Sequence, residues 1–347
     1  MIRSSTVNIL SVQQLYISTI SRGETSLFTG RSIFRVACFT ALNRQVLLFC
    51  IFLHGQSLKE ILLISLQDIL RFHAVYWPAM LMSAGLSLPK MVFGHGFLTK
   101  DGMKMGKSLG NTLEPKDLVH RFGSDAVRYF FLREMEFGSD GDYSEDRFIN
   151  TVNAHLANTI GNLLNRTLGL LKKNCQSTLA VDSTSAAEGN SFKVNVENFV
   201  EKARGHYEKL SLSSACAAVL EIGNAGNLYM DEHAPWSLFK QGGVASEAAA
   251  KDLVIILEAM RIIAVALSPV APNLCLRIYS QLGYSKDQFD TLTWSETKWG
   301  GLKAGQVMAQ PQPIFVKIEK KTEGDEEGKK PIKGNKKLPQ IQVAAEA

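Results

Sequence analysis

Side chains that can be buried recur at helical spacing along one stretch of this chain, at Phe148, Val152, Leu156, Ile160, Leu163, Thr167 and Leu170. Positions three and four apart share one face of an α-helix, so such a stripe requires a partner surface. The same period continues through residues 193 to 208, 212 to 233, 247 to 267 and 272 to 282, with polar or proline-containing connections between them. Successive amphipathic helices of this kind pack as a helical bundle, expected over residues 144–290. Ser144 is the expected N-cap of the first helix, with Arg147 and Phe148 just inside it.

Upstream, residues 65–143 follow a different pattern, mixed α/β. Arg71 to Ser83 form an aromatic-rich helical segment. Met91-Val92-Phe93-Gly94-His95-Gly96-Phe97-Leu98 is short, apolar and broken by glycine, which predicts a buried strand from Val92 to Leu98 running into a loop. Glu114-Pro115 can open a helix with proline at its first position, and Ser124 can cap another beginning at Asp125.

The two ends differ from this body. Residues 1 to about 57 hold five arginines, many serines and one acidic residue, Glu24. That bias is that of an organelle transit peptide, and equally that of an unrelated leader joined to the body, so residues 1–64 form an atypical N-terminal segment. At the other end, residues 291–347 read as an extension followed from Lys317 by a charged tail with almost no large apolar residue until Ile332. Such a tail buries too little surface to offset the entropy of ordering.

With 46% hydrophobic residues the chain is globular, and a net charge of +5 requires any nucleic-acid contact to come from local faces. Cys38, Cys50, Cys175, Cys216 and Cys275 form no CxxC pair, which excludes a zinc knuckle or disulfide framework from the expectations. The longest apolar run, Val46 to Leu53, is well short of the roughly 20 residues of a membrane helix, so no membrane span is expected.

Lys104-Met105-Gly106-Lys107-Ser108 carries the clearest chemistry. Two lysines three apart stand in a turn bounded by Asp101-Gly102 and Gly110, and two ammonium groups there can neutralise charge developing on a triphosphate as pyrophosphate leaves. Lysine pairs alone are usually solvated surface. Here His95-Gly96-Phe97-Leu98 precedes the loop and Ser108-Leu109-Gly110-Asn111 follows it, and the whole resembles the second signature of class I aminoacyl-tRNA synthetases. The resemblance implies a partial Rossmann-like catalytic segment over residues 65–143. It also implies that Lys104 and Lys107 stabilise adenylate formation, and that ATP, with Mg2+, is bound by Lys107, Lys104, Ser108, His95 and Gly96. That family's usual loop has serine in place of Gly106.

Two further clusters resemble the methionyl-tRNA synthetases in particular. Asp68 to Ala79 looks like the segment lining their methionine pocket, which implies that role for His73, Trp77 and Phe72; aromatic rings suit a thioether. An ordinary buried aromatic helix is the alternative. The family has Gly-Lys before the aspartate where this chain has Leu66-Gln67, so the resemblance begins there. Asn158, Asn162, Asn165 and Arg166 lie opposite the apolar stripe, and Asp231-Glu232-His233-Ala234-Pro235-Trp236 comes later. Unpaired bases are read by stacking and edge hydrogen bonds, which an Asn/Arg pair and a tryptophan provide. The resemblance assigns the CAU anticodon to Asn162, Arg166 and Trp236.

Its implied partners are tRNA(Met), methionine and ATP, with no membrane, no zinc site and no statement of oligomeric state. Location in the chloroplast and/or mitochondrion is expected, with the cytoplasm as alternative. No His-Ile-Gly-His-like motif is found: His54-Gly55-Gln56 lacks the second histidine. Since one lost donor costs about 3 to 4 kcal/mol of transition-state stabilisation, little aminoacylation is expected from this chain alone. A methionine–tRNA ligase, a non-catalytic tRNA-binding fragment and another class I synthetase are the readings carried forward.

Overall fold

The structure, a computed structural model, describes residues 35–38, 61–66, 72–86, 88, 91–95, 97–136 and 139–319. Strands β1 (Arg35–Cys38), β2 (Ile61–Leu66) and β3 (Met91–His95) form a parallel sheet in that order, with Val36 opposite Leu62 and Leu63 opposite Val92. Runs such as Ile61-Leu62-Leu63-Ile64 are typical of parallel strands covered on both faces. Parallel strands need a long crossover. Between β2 and β3 it contains a π-helical turn, Phe72–Tyr76, running into α1 (Trp77–Ser83), close to the helix expected at Arg71 to Ser83.

A second sheet, ordered β5-β4-β6, uses β4 (Leu98–Lys100), β5 (Met103–Lys104) and β6 (Gly141–Tyr143). The strand expected from Val92 to Leu98 is therefore two strands in different sheets. The β4–β5 hairpin closes through Asp101 and Gly102 at φ 52° and 74°, a two-residue turn whose twist matches the strands it joins. β6 returns parallel to β4, with Leu98 opposite Gly141. A side chain at position 141 would meet Met135 Sδ at 1.6 Å, so Met135 would have to move to admit one.

Pro115 opens α2 (Pro115–Phe122), as its sequence predicts. The next helix, α3 (Ser124–Glu134), starts one residue early. Gly123, at φ 84°, both ends α2 and takes the N-cap position, so Ser124 is helical and does not cap. Then α4 (Glu145–Val152), a π-helical stretch (Asn153–Asn162) and α5 (Leu163–Cys175) form one continuous helix. Ser144 sits at its N-cap with extended backbone, but its side chain accepts no capping hydrogen bond. The widened turns keep the stripe in phase, because Phe148, Val152, Leu156, Ile160 and Leu163 are all 0% exposed.

The bundle continues with α6 (Ser183–Ala186), α7 (Ser191–Glu208), α8 (Leu212–His233), α9 (Pro235–Gln241), α10 (Gly243–Ala266), α11 (Pro272–Gln281) and α12 (Lys286–Asp290). The four long ones match the expected spans to within a few residues. α6, α9 and α12 fall where connections were expected, since helices of four to seven residues are too short to display a period. From Leu253 to Ala266 α10 is buried on every side, which makes it the central helix.

One buried ion pair on α10 orders the chain beyond α12. Glu258 accepts Arg261 at 2.7 Å and also the N–H groups of Gly300, Gly301 and Leu302, while Arg261 donates to the carbonyls of Glu296 and Lys298. Farther on, Gln281 and Gln312 exchange hydrogen bonds, and Asn153 both donates to and accepts from the backbone of Ile318. The charged tail expected beyond this point lies outside the described residues, as does most of the N-terminal segment 1–64.

The mixed α/β part is tied to the bundle through α3. Arg128 donates to the carbonyls of Val270 and Pro269 at 2.9 and 2.8 Å, and the Asp125 carboxylate accepts the Leu274 N–H at the start of α11. A continuous hydrophobic core accordingly runs from Leu118 in α2 to Ile314.

Candidate functional site

The lysine loop is the continuation of the β4–β5 hairpin, and three aspartate contacts, two of them to backbone N–H groups, fix that hairpin. Asp140 Oδ1 accepts the Phe97 N–H at 2.7 Å, and Asp142 Oδ1 accepts both the Thr99 hydroxyl at 2.6 Å and the Gly102 N–H at 2.9 Å. Sequence reasoning missed both aspartates: read along the chain they are a polar loop, and only the β4–β6 pairing brings them to the hairpin. Lys104 ends β5, exposed, with Nζ 5.9 Å from the centroid of the Phe97 ring.

Beyond Lys104 the backbone is closed by one side chain. Asn111 Oδ1 accepts the Gly106 N–H at 2.9 Å, and its Nδ2 donates to the Lys104 carbonyl at 3.1 Å. Inside this clasp Lys107–Leu109 makes a single 3₁₀ turn, and Gly110 at φ 64° supplies the expected bend. A side chain at Gly106 would meet Leu109 at 3.5 Å and Ser108 Oγ at 3.8 Å, both ordinary contacts, so the serine usual in the family would fit this backbone. Ser108 is exposed. The side chains of Lys107 and His95, and Gly96 altogether, lie outside the described residues.

Of the three pocket candidates, Trp77 is half-buried at the start of α1. The side chains of Phe72 and His73 lie outside the described residues. Val75, Tyr76, Met80 and Met82 on the same segment are 42–66% exposed.

The bundle carries the best-defined cluster. Arg166 on α5 pairs with Asp231 on α8 at 2.9 Å, and its guanidinium carbon lies 5.4 Å from the centroid of the Trp236 ring on α9. Trp236 is placed by the chain break between α8 and α9: Ala234 takes a left-handed conformation, φ 44° and ψ 53°, and Pro235 starts α9. Trp236 is 36% exposed, at the surface rather than in the core. Asn162, Asn158 and Asn165 are exposed along the helix that carries Arg166. Arg166 and Trp236 thus lie together, and Asn162 stands one turn before Arg166. Asp231 was the partner that sequence reasoning did not assign, although it lies within the quoted Asp-to-Trp segment.

Among the described residues no group of three or more His, Cys, Asp or Glu side chains could hold a metal ion, and no helix is long and apolar enough to cross a membrane.

A parallel sheet leading into a lysine hairpin, followed by an all-α bundle with an exposed Arg–Trp pair, defines a class I aminoacyl-tRNA synthetase architecture. Residues 42–168 match the family model "tRNA synthetases class I (M)", and residues 181–334 match "Anticodon binding domain of methionyl tRNA ligase". The chain belongs to the methionyl-tRNA synthetase family.

It is 78% identical over 270 residues to the chloroplastic/mitochondrial methionine–tRNA ligase of Arabidopsis thaliana, covering 78% of this chain and 44% of that protein. The methionine–tRNA ligase of Synechocystis is 52% identical over 73% of this chain and 49% of its own length. Among solved structures, Mycobacterium tuberculosis methionyl-tRNA synthetase in complex with methionyl-adenylate matches with a TM-score of 0.66 and 35% identity, over 73% of this chain and 49% of that one. The chain spans about half the length of the relatives it matches.

Proposed function

We propose that this chain supplies the lysine-loop side of the nucleotide site and the anticodon-binding domain of a methionine–tRNA ligase. In that reaction a carboxylate oxygen of methionine attacks the α-phosphate of ATP, pyrophosphate leaves, and the methionyl group then passes to the terminal ribose of tRNA(Met), releasing AMP. The observation that carries the reading is the exposed Arg166–Trp236 pair, an indole and a guanidinium plane on which an unpaired base can stack. Asn162 and Asn165 add amide groups for base edges. Lys104 and Lys107 would meet the leaving pyrophosphate, His95, Gly96 and Ser108 would line the ATP site, and Trp77, Phe72 and His73 the methionine side chain.

Two assays test it. A tRNA transcript with a CAU anticodon binds the full chain, and exchanging the anticodon abolishes the preference; methionine-dependent ATP–pyrophosphate exchange reports whether the lysine loop supports chemistry. Anticodon-dependent binding without exchange assigns the chain to tRNA binding alone. An organellar location is supported by the name of the Arabidopsis relative and by the arginine- and serine-rich N-terminus. A fluorescent reporter behind residues 1 to 60 tests it, and diffuse cytosolic signal would exclude it.

A further inference from the structure

The last turn of α8 is held from two sides. Asp231 faces α5, where it meets Arg166. Two residues later, and so on the opposite side of the helix, His233 faces α10, where its Nδ1 lies 3.0 Å from Asp252 Oδ1. The Asp252 side chain is only 11% exposed, and the same oxygen accepts the Tyr229 hydroxyl at 2.7 Å. Asn190, the N-cap of α7, donates to that hydroxyl at 2.9 Å. Tyr229 and His233 are four residues apart on α8, and their rings stack with centroids 3.9 Å apart.

Asp252 is therefore the buried acceptor at the centre of a network drawn from α7, α8 and α10. Immediately after His233 comes Ala234, the left-handed residue that turns the chain into α9 and sets the direction of Trp236. A non-glycine residue in that conformation persists only where its surroundings hold it. The His233–Asp252 contact is the side-chain anchor nearest that turn, and α9 itself packs along α10.

We propose that Asp252, acting through His233 and Tyr229, is a positioning residue for the RNA-reading face: it fixes the Ala234 turn and with it the plane of Trp236 over Arg166. The proposal rests on the anticodon reading above. It assigns a role in recognition to residues that need touch no nucleotide.

The test measures binding of the full chain to a CAU anticodon stem-loop and to the same stem-loop with its anticodon exchanged. The variants are Asp252→Ala, His233→Phe, His233→Gln and, as control, Trp236→Ala. His233→Phe keeps a ring to stack on Tyr229 but has no donor for Asp252. Its dissociation constant for the CAU stem-loop is expected to rise about three- to tenfold, the loss of one hydrogen bond's worth of positioning, with the preference between the two RNAs reduced in proportion. His233→Gln, whose amide can still donate to Asp252, is expected to bind within twofold of the parent, a margin of about 0.4 kcal/mol at RT of about 0.6. Asp252→Ala is expected to lose the preference altogether if it folds; circular dichroism establishes that, and the two His233 variants, at a partly exposed position, carry the test if it does not.

A purely structural role lowers the folded fraction, which raises the apparent dissociation constants for both RNAs by the same factor and leaves the preference between them unchanged. That result for His233→Phe would overturn the proposal. If Trp236→Ala also binds as tightly as the parent, the anticodon reading itself fails. If Trp236→Ala is weakened and His233→Phe is not, only the positioning role fails.

Discussion

The guanidinium of Arg166 lies over the indole of Trp236, its carbon 5.4 Å from the ring centroid, while its Nη2 bonds Asp231 at 2.9 Å. The cation is thereby held over the aromatic ring without being buried, since the Arg166 side chain remains 43% exposed. A planar, permanently charged group suits that geometry, and a lysine does not reproduce it. Arg166→Lys is therefore expected to weaken binding of a CAU stem-loop about tenfold with little change in thermal midpoint. Unchanged affinity, measured by fluorescence anisotropy, would show that charge alone suffices there.

Asn111 makes the second prediction. Both of its amide atoms are engaged by the backbone of the lysine loop, and each such bond contributes about 0.5–1.5 kcal/mol. Asn111→Ala is expected to speed hydrogen exchange of the Gly106 amide roughly tenfold and to increase tryptic cleavage after Lys104, with the bundle amides unaffected. Equal exchange rates would show that the clasp does not hold the loop.

The third concerns the bundle's only fully buried ion pair among the described residues, Glu258 and Arg261. Burial acts to raise the Glu258 carboxyl, but Arg261 and the backbone N–H groups of Gly301 and Leu302 outweigh it and hold the group below the usual carboxylate range. With the folded value depressed, the stabilisation is complete above the unfolded value of about 4.3 and is lost as pH falls through the folded one. Removing one partner of such a pair costs about 3–5 kcal/mol. Glu258→Gln should lower the urea midpoint at pH 7 accordingly, and the loss of stability on acidification below about pH 4.3 should be shallower than in the parent. A midpoint unchanged at pH 7 would refute the assignment.

Much of this was legible in the chain. Helices long enough to show a period, from Phe148 onward, could be placed to within a few residues, and Asp101, Gly102 and Gly110 announced the bends of the lysine loop because their backbone conformations favour those residue types. Arg166 and Trp236 were legible as residue types suited to base stacking. What the sequence hid were contacts between distant segments: Asp140 and Asp142 on the hairpin, Asp231 on Arg166, Asp252 on His233. An aspartate read in isolation is a solvated charge, and only the fold supplies its donors. Short helices such as α9, which presents Trp236, were hidden for another reason, since one or two turns carry no periodicity. The π-helical stretch before Arg166 was hidden as well, because its widened turns leave the buried stripe looking like an ordinary helix.

The central claim, that the Arg166–Trp236 face reads an anticodon, is tested most directly by one ratio: the affinity of the full chain for a CAU stem-loop over that for the same stem-loop with its anticodon exchanged, in the parent and in Trp236→Ala. Base stacking on an aromatic ring contributes about 1–3 kcal/mol. The parent is expected to prefer CAU at least tenfold, and Trp236→Ala to bind it roughly 5- to 150-fold more weakly with the preference gone. Equal affinity of the parent for both RNAs, or an unchanged dissociation constant in the variant, would contradict the account.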